Sequence, residues 1–188
     1  MRIVVGITGA SGSVYALHLL RALSLLEHEV HAVVSEYGRR ILAHECRAGE
    51  GEIRKLVNTL HPIDNLASLL ASGSFRTDVM VVIPCSMRTL AAIASGLADN
   101  LLCRTADVVI KERKNLILAV RETPLSAVHL ENMLKLARLG VGIVPLCPGF
   151  YHKPQSIDDL VSMMVGRIMD SMGLASDAFP RWEGISGA

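Results

Sequence analysis

The sequence predicts one α/β domain built on a parallel, doubly wound sheet. Short β-branched runs alternate with longer amphipathic stretches along the chain, the signature of repeated βαβ units. The runs themselves are almost continuously apolar, as strands are when helices cover both faces of a sheet. With 188 residues, 51% of them hydrophobic, there is enough apolar side chain for one large core and room for one fold rather than two.

The elements follow in order. RIVVGI, beginning at Arg2, predicts the first strand, and a helix is expected over residues 14–26. VHAVV leads into a helix over 36–45, and VMVVIP, closed by Pro84, into one over 88–95. NLILAV precedes a helix over 126–139 and VGIVP a last helix over 157–172. Between residues 49 and 77 the chain is more polar, and His61-Pro62 with SGSFRTD predicts a short helical excursion and loop inside the domain. No linker or internal repeat interrupts the span 1–188, and residues from about 174 read as a C-terminal tail.

Composition removes several functions. Nineteen Lys and Arg against 18 Asp and Glu, with one Trp, three Tyr and three Phe, supply neither the basic field nor the stacking platforms of a nucleic-acid binder. Mean hydropathy is high at +0.39, yet each apolar run ends at Pro, Gly or charge well short of the roughly 20 residues that span a bilayer. No membrane partner is expected, and the surplus apolar surface is expected between subunits of a homo-oligomer. No export signal precedes the strand at Arg2, which predicts a cytoplasmic protein. Cys46, Cys85, Cys103 and Cys147 show no CxxC pair and no zinc spacing with histidine, so they are expected as buried thiols, with no metal site.

The first candidate site is GITGASGS, where Gly6, Gly9 and Gly12 fall at every third position directly after a strand. Backbone N–H groups at such a turn, at the positive end of the next helix, face an anion, and Ser11 and Ser13 would add hydroxyl donors. The spacing is neither G-x-G-x-x-G nor G-x-x-x-x-G-K, so a purely structural turn remains open. TGASG is also similar to the turn of short-chain dehydrogenases, whose chemistry needs a Tyr-x-x-x-Lys pair. Here Tyr15, Tyr37 and Tyr151 are followed four places later by Leu19, Ile41 and Gln155.

A second strand end reads PCSMRTLAAIASG, with Ser86 and Thr89 at the start of an alanine-rich helix, where hydroxyls cap free N–H groups or hold a ligand. Two polar helix starts on one sheet edge predict a cleft for a phosphorylated cofactor. The third constellation spans residues 100–126. Arg104 and Lys111, seven apart, lie on one helix face about 10 Å apart along the axis, with a solvated salt-bridged face as the plain alternative. Arg121 and Glu122 directly follow NLILAV, at the strand end where α/β folds place their chemistry. His129 and Glu131 point to different faces of their helix and read as capping and packing.

Taken together, GITGASG, PCSMRTLAAIASG, ADVVIKERKNLILAVRETPLS, HLENMLKLARLG and PGFYHKPQS resemble the flavin prenyltransferase family over nearly the whole chain. The resemblance implies a flavodoxin-like, Rossmann-like three-layer fold, assembly into dodecamers with sites shared between subunits, and a cytoplasmic flavoprotein. The implied reaction joins a dimethylallyl group from dimethylallyl phosphate to reduced FMN, and the prenylated FMN serves a partner decarboxylase. By position, the family pattern assigns Gly9, Ala10, Ser11, Ser35, Ser86, Met87, Arg88, Thr89 and Arg121 to FMN. It sets the prenyl phosphate against Arg104, Lys111, Tyr151 and Arg167, with Trp182 as an apolar wall. Glu122 is implied as general base, and Glu45 as a proton relay with Ser11. The rival readings are a flavin-dependent decarboxylase of aromatic or cysteinyl acids and a non-catalytic flavin carrier. The cysteine-decarboxylating group carries Pro-Ala-Met-Asn where this chain has PCSM, and a carrier would have no use for the cationic cluster.

Overall fold

The computed structural model describes residues 1–176, 179–182 and 184. Six parallel strands form one sheet: β1 (Arg2–Ile7), β2 (Glu29–Val34), β3 (Thr59–His61), β4 (Val79–Cys85), β5 (Asn115–Val120) and β6 (Gly142–Ile143). Seven α-helices join them: α1 (Ser13–Ser24), α2 (Glu36–Cys46), α3 (Glu50–Leu56), α4 (Met87–Ser95), α5 (Leu101–Lys111), α6 (Ala127–Arg138) and α7 (Ile157–Ser171). A short 3₁₀ turn covers Leu69–Ala71.

Side-chain alternation along the strands makes two cores. Ile3, Val5 and Ile7 of β1 and Val79, Val81 and Ile83 of β4 face Leu17, Leu20 and Leu23 of α1 and Val161, Met164 and Ile168 of α7. Val4, Met80 and Val82 face the opposite way, against Leu90 and Ile93 of α4, Leu102, Ala106 and Val109 of α5 and Leu136 of α6. Each such aliphatic side chain taken from water contributes about 1.5–3 kcal/mol before chain entropy opposes it. The continuous apolar runs of the sequence are therefore strands covered on both faces.

The strand order is β3-β2-β1-β4-β5-β6. Without the three-residue edge strand β3 this is the flavodoxin order, and with it the order of dinucleotide-binding folds. Both place the topological switch between β1 and β4, which pair in register from Ile3↔Val79 to Gly6↔Val82.

Three expectations are corrected. Pro84 does not end β4, which continues to Cys85 through an irregularity in its pairing with β5 between Val82 and Cys85. A bulge is where a strand tolerates a residue without an N–H. The edge strand β3 lies inside the stretch read as helix and loop; TLH is too short to show a period. Of the four cysteines only Cys85 and Cys103 are buried, Cys46 is half-buried and Cys147 is exposed, all with free thiols. Among the described residues no helix is long and apolar enough to cross a membrane.

Candidate functional site

The switch point opens at the carboxyl ends of β1, β2, β4 and β5. Thr8, the first residue beyond β1, ties the two central strands together. Its buried hydroxyl donates to the Pro84 carbonyl at 2.6 Å and accepts from the Ser86 N–H at 2.9 Å. The sequence reading missed it, although a hydroxyl directly after a buried apolar run was the available signal.

Between these strand tips lies a cavity of about 460 Å³, within the size range of small-molecule sites. Thr8, Gly9, Ser35, Tyr37, Ser86, Arg88, Thr89 and Asn100 are among the residues that line it. Gly9 is required by space, because a Cβ there would lie 2.5 Å from the Tyr37 Cβ. Ser35 caps α2 by accepting from the Gly38 N–H at 3.0 Å. Ser86 caps α4 by accepting from the Thr89 N–H at 3.3 Å, and its own hydroxyl donates to the Thr89 hydroxyl at 3.1 Å. Two helix N-termini with hydroxyl caps therefore face one hollow, and Arg88, paired with Asp99 at 3.4 Å, adds a cation at its rim. Met87 is buried beneath it.

The glycine turn works differently from the expectation that its N–H groups face a foreign anion. The N–H groups of Gly12 and Ser13 both donate to Glu45 Oε2, each at 2.9 Å, so the positive end of α1 holds the protein's own carboxylate. Burial pushes Glu45 up, but the nearby Ser11 hydroxyl, the Ser13 and Gly12 N–H groups and the Arg121 guanidinium together hold it below the usual glutamate value. Ser13, expected to offer a hydroxyl, is fully buried, and its Oγ has no hydrogen-bond partner among the described residues. Gly12 has φ 104°, a left-handed conformation that favours glycine.

Arg121 reaches across from the end of β5, donating from Nε to the Ser11 carbonyl at 3.1 Å, while its own N–H donates to the Cys85 carbonyl at 3.3 Å. Glu122, next in the chain, is exposed and accepts only from the Thr123 N–H among the described residues, at 3.0 Å. Of the candidates, Gly9, Ser35, Ser86, Arg88 and Thr89 line this cavity, Ala10, Met87, Arg121 and Glu122 adjoin them or the strand ends in sequence, and Ser11 and Glu45 line a neighbouring hollow beside α1.

The remaining candidates are not among the residues that line this cavity. α5 runs antiparallel to the strands, so Lys111 at its end lies near Asn115, on the edge of the sheet opposite the tips. Lys111 Nζ pairs with Glu112 at 2.7 Å, and Arg104, two turns earlier, pairs with Asp107 at 2.8 Å and donates from Nε to the Ala71 carbonyl at 3.3 Å. Arg167, near the end of α7, pairs with Asp170 at 3.3 Å. The half-exposed ring of Tyr151 packs edge-on against Trp182 with centroids 5.5 Å apart, so the tail lies over the loop that precedes α7. His129, read as a capping residue, completes a capping box with Ser126 at the start of α6.

A family model described as Flavoprotein matches residues 1–169. That defines the class: a flavoprotein on a doubly wound sheet. A probable UbiX-like flavin prenyltransferase of Streptomyces sp. (strain D7) is 47% identical over 189 residues, covering 100% of this chain and 94% of that protein. The crystal structure of AnUbiX (PadA1) in complex with FMN and dimethylallyl pyrophosphate superimposes with a TM-score of 0.96 at 46% identity over 98% of both chains. A dodecameric FMN-dependent UbiX-like decarboxylase from Escherichia coli O157:H7 gives a TM-score of 0.96 at 44% identity, covering 98% of this chain and 100% of that one. The chain belongs to the UbiX-type flavin prenyltransferase family. The peptidyl-cysteine decarboxylase EpiD, at 16% identity and a TM-score of 0.62, shares the fold alone.

Proposed function

We propose that this protein transfers a dimethylallyl group from dimethylallyl phosphate to reduced FMN and releases prenylated FMN to a partner decarboxylase. The observation that carries the reading is the cavity at the β1/β4 switch point, in a chain whose relatives by full-length identity are named for that reaction. FMN is a substrate here and supplies the nucleophilic nitrogen and the neighbouring aromatic carbon that the donor alkylates. Gly9, Ala10 and Ser11 bring backbone up to the flavin, Ser35, Ser86, Met87, Arg88 and Thr89 surround it, and Arg121 lies against it.

Loss of phosphate from the donor needs charge on the departing oxygens, which Arg104, Lys111, Arg167 and the Tyr151 hydroxyl supply. Since Lys111 closes α5 at the sheet edge opposite the tips, we infer that it and Arg104 complete the site of another copy. The exposed apolar side chains Val128, Leu130, Leu134 and Leu139, spread around and beside α6, suit burial in a homo-oligomer, for which a dodecamer is the expected form. Trp182, against Tyr151, walls the prenyl chain. Glu122 takes the proton released when the new ring closes, and Ser11 with Glu45 passes protons at the glycine turn. Four free thiols suit a reducing, cytoplasmic compartment.

The test is phosphate release from dimethylallyl phosphate by the protein with reduced FMN under anaerobiosis, repeated with Glu122→Gln. The wild type is expected to release phosphate, and the variant to bind FMN normally while turning over about 100-fold more slowly. Equal loss of FMN binding and turnover would make Glu122 structural, and no phosphate from the wild type would overturn the reading.

A further inference from the structure

We infer that a buried relay of Ser68, His61 and His31 positions Arg104 for the donor phosphate. This rests on the proposed role of Arg104 in binding that phosphate. None of the three relay residues faces the flavin cavity, and each is more than nine-tenths buried or nearly so, at 9%, 7% and 4% exposure.

The contacts form one line. Ser68 Oγ lies 3.0 Å from His61 Nδ1, His61 Nε2 lies 3.0 Å from His31 Nδ1, and His31 Nε2 lies 3.0 Å from Glu29 Oε1. Glu29 Oε2 in turn accepts from Arg2 Nε at 2.9 Å. A carboxylate only accepts, so the ring nitrogen that faces it is the donor. His31 donates from Nε2 to Glu29, and in the tautomer that leaves Nδ1 without a proton it accepts there from His61 Nε2. His61 Nδ1 then accepts from the Ser68 hydroxyl. Burial and the neighbouring His31 push the His61 pKa down, which keeps that ring neutral as the line requires.

With its proton committed to His61, Ser68 Oγ has lone pairs left to accept. It takes the Leu70 N–H at 3.4 Å and so starts the 3₁₀ turn Leu69–Ala71. The last carbonyl of that turn, on Ala71, accepts from Arg104 Nε. Asp107 takes Arg104 Nη1, and Nη2 makes no hydrogen bond among the described residues, which leaves that edge of the guanidinium for phosphate. The far side of the segment is fastened too: Phe75 stands edge-on to His31 at 5.2 Å and beneath the Arg2 guanidinium at 4.1 Å. The backbone that aims Arg104 is thus clamped at both ends on one buried polar line. Ser68, His61 and His31 are positioning residues, acting on the donor only through Arg104.

The experiment measures the KM for dimethylallyl phosphate and the FMN Kd in Ser68→Ala, Ser68→Thr, Arg104→Ala and the Ser68→Ala/Arg104→Ala pair. Ser68→Ala is expected to raise the donor KM about tenfold, the weight of one lost hydrogen bond, with FMN Kd unchanged. Ser68→Thr, which keeps the hydroxyl, should restore it. The paired variant should fall short of the product of the two single effects, as residues acting through one another do. His61→Gln, which keeps an amide near His31 but releases Ser68, repeats the break should Ser68→Ala fold poorly, and must give the same rise. Wild-type donor KM in both Ser68→Ala and His61→Gln, or effects that multiply in full with Arg104→Ala, would overturn the positioning role alone. Unchanged donor KM in Arg104→Ala would overturn the phosphate-binding reading, and the relay's role with it.

Discussion

Glu45 is 33 residues from Gly12 in sequence and still caps the helix that Gly12 begins. Its carboxylate lies where a foreign anion would otherwise sit, and its charge is favoured by the same N–H groups that need an acceptor. Because folding lowers its pKa, the stability it contributes is complete above the unfolded glutamate value and is lost as pH falls through the lower folded value. Glu45→Gln keeps an oxygen acceptor and removes the charge. Its melting temperature is expected below that of the wild type at pH 7, with the gap closing as pH drops below about 4. A gap that stays constant with pH would contradict this account. Ser86 and Arg121, directly after strands, and the glycine turn around Gly9 were legible in the sequence because strand ends are where this fold class puts its ligands, whereas Ser35 came only by resemblance. Glu45 was legible only by resemblance, since no spacing rule joins the last turn of α2 to the glycine turn. Ser13 misled for the opposite reason: a serine one place from a polar turn is already the buried first residue of a helix.

Elements depend on single side chains at the switch point. The end of β4 is held to β1 by Thr8, which satisfies both the Pro84 carbonyl and the Ser86 N–H. Thr8→Val keeps the shape and removes both bonds. It should cost about 1–3 kcal/mol in denaturant unfolding, chiefly because the partly buried Ser86 N–H is left unpaired. FMN affinity should fall with it, since the α4 N-terminus hangs from that residue; unchanged unfolding and FMN titration would show that Thr8 is dispensable. The apolar runs revealed β1, β2, β4, β5 and the two-residue β6 with their helices, with boundaries within about two residues for the helices. What they hid was β3, whose three residues hydrogen-bond to β2 from the sheet edge, and the continuation of β4 past Pro84. Neither leaves a periodic trace, because both depend on partners elsewhere in the chain. α5 was readable as a two-cation face, but only the topology shows that this face leads away from the tips of its own sheet.

At the scale of the whole molecule, one chain holds a cavity of about 460 Å³ at the switch point and, outside its lining, the cations Arg104 and Lys111 proposed for the prenyl phosphate. The proposed assembly brings these two surfaces together across copies, which gives the surplus apolar surface of α6 a purpose. The most direct measurement is the mass of the small molecule extracted after anaerobic incubation of the protein with reduced FMN and dimethylallyl phosphate. The account predicts a flavin heavier than FMN by one dimethylallyl group less a hydrogen, with one phosphate released for each. Recovery of FMN at its original mass from a folded, fully assembled preparation would contradict it.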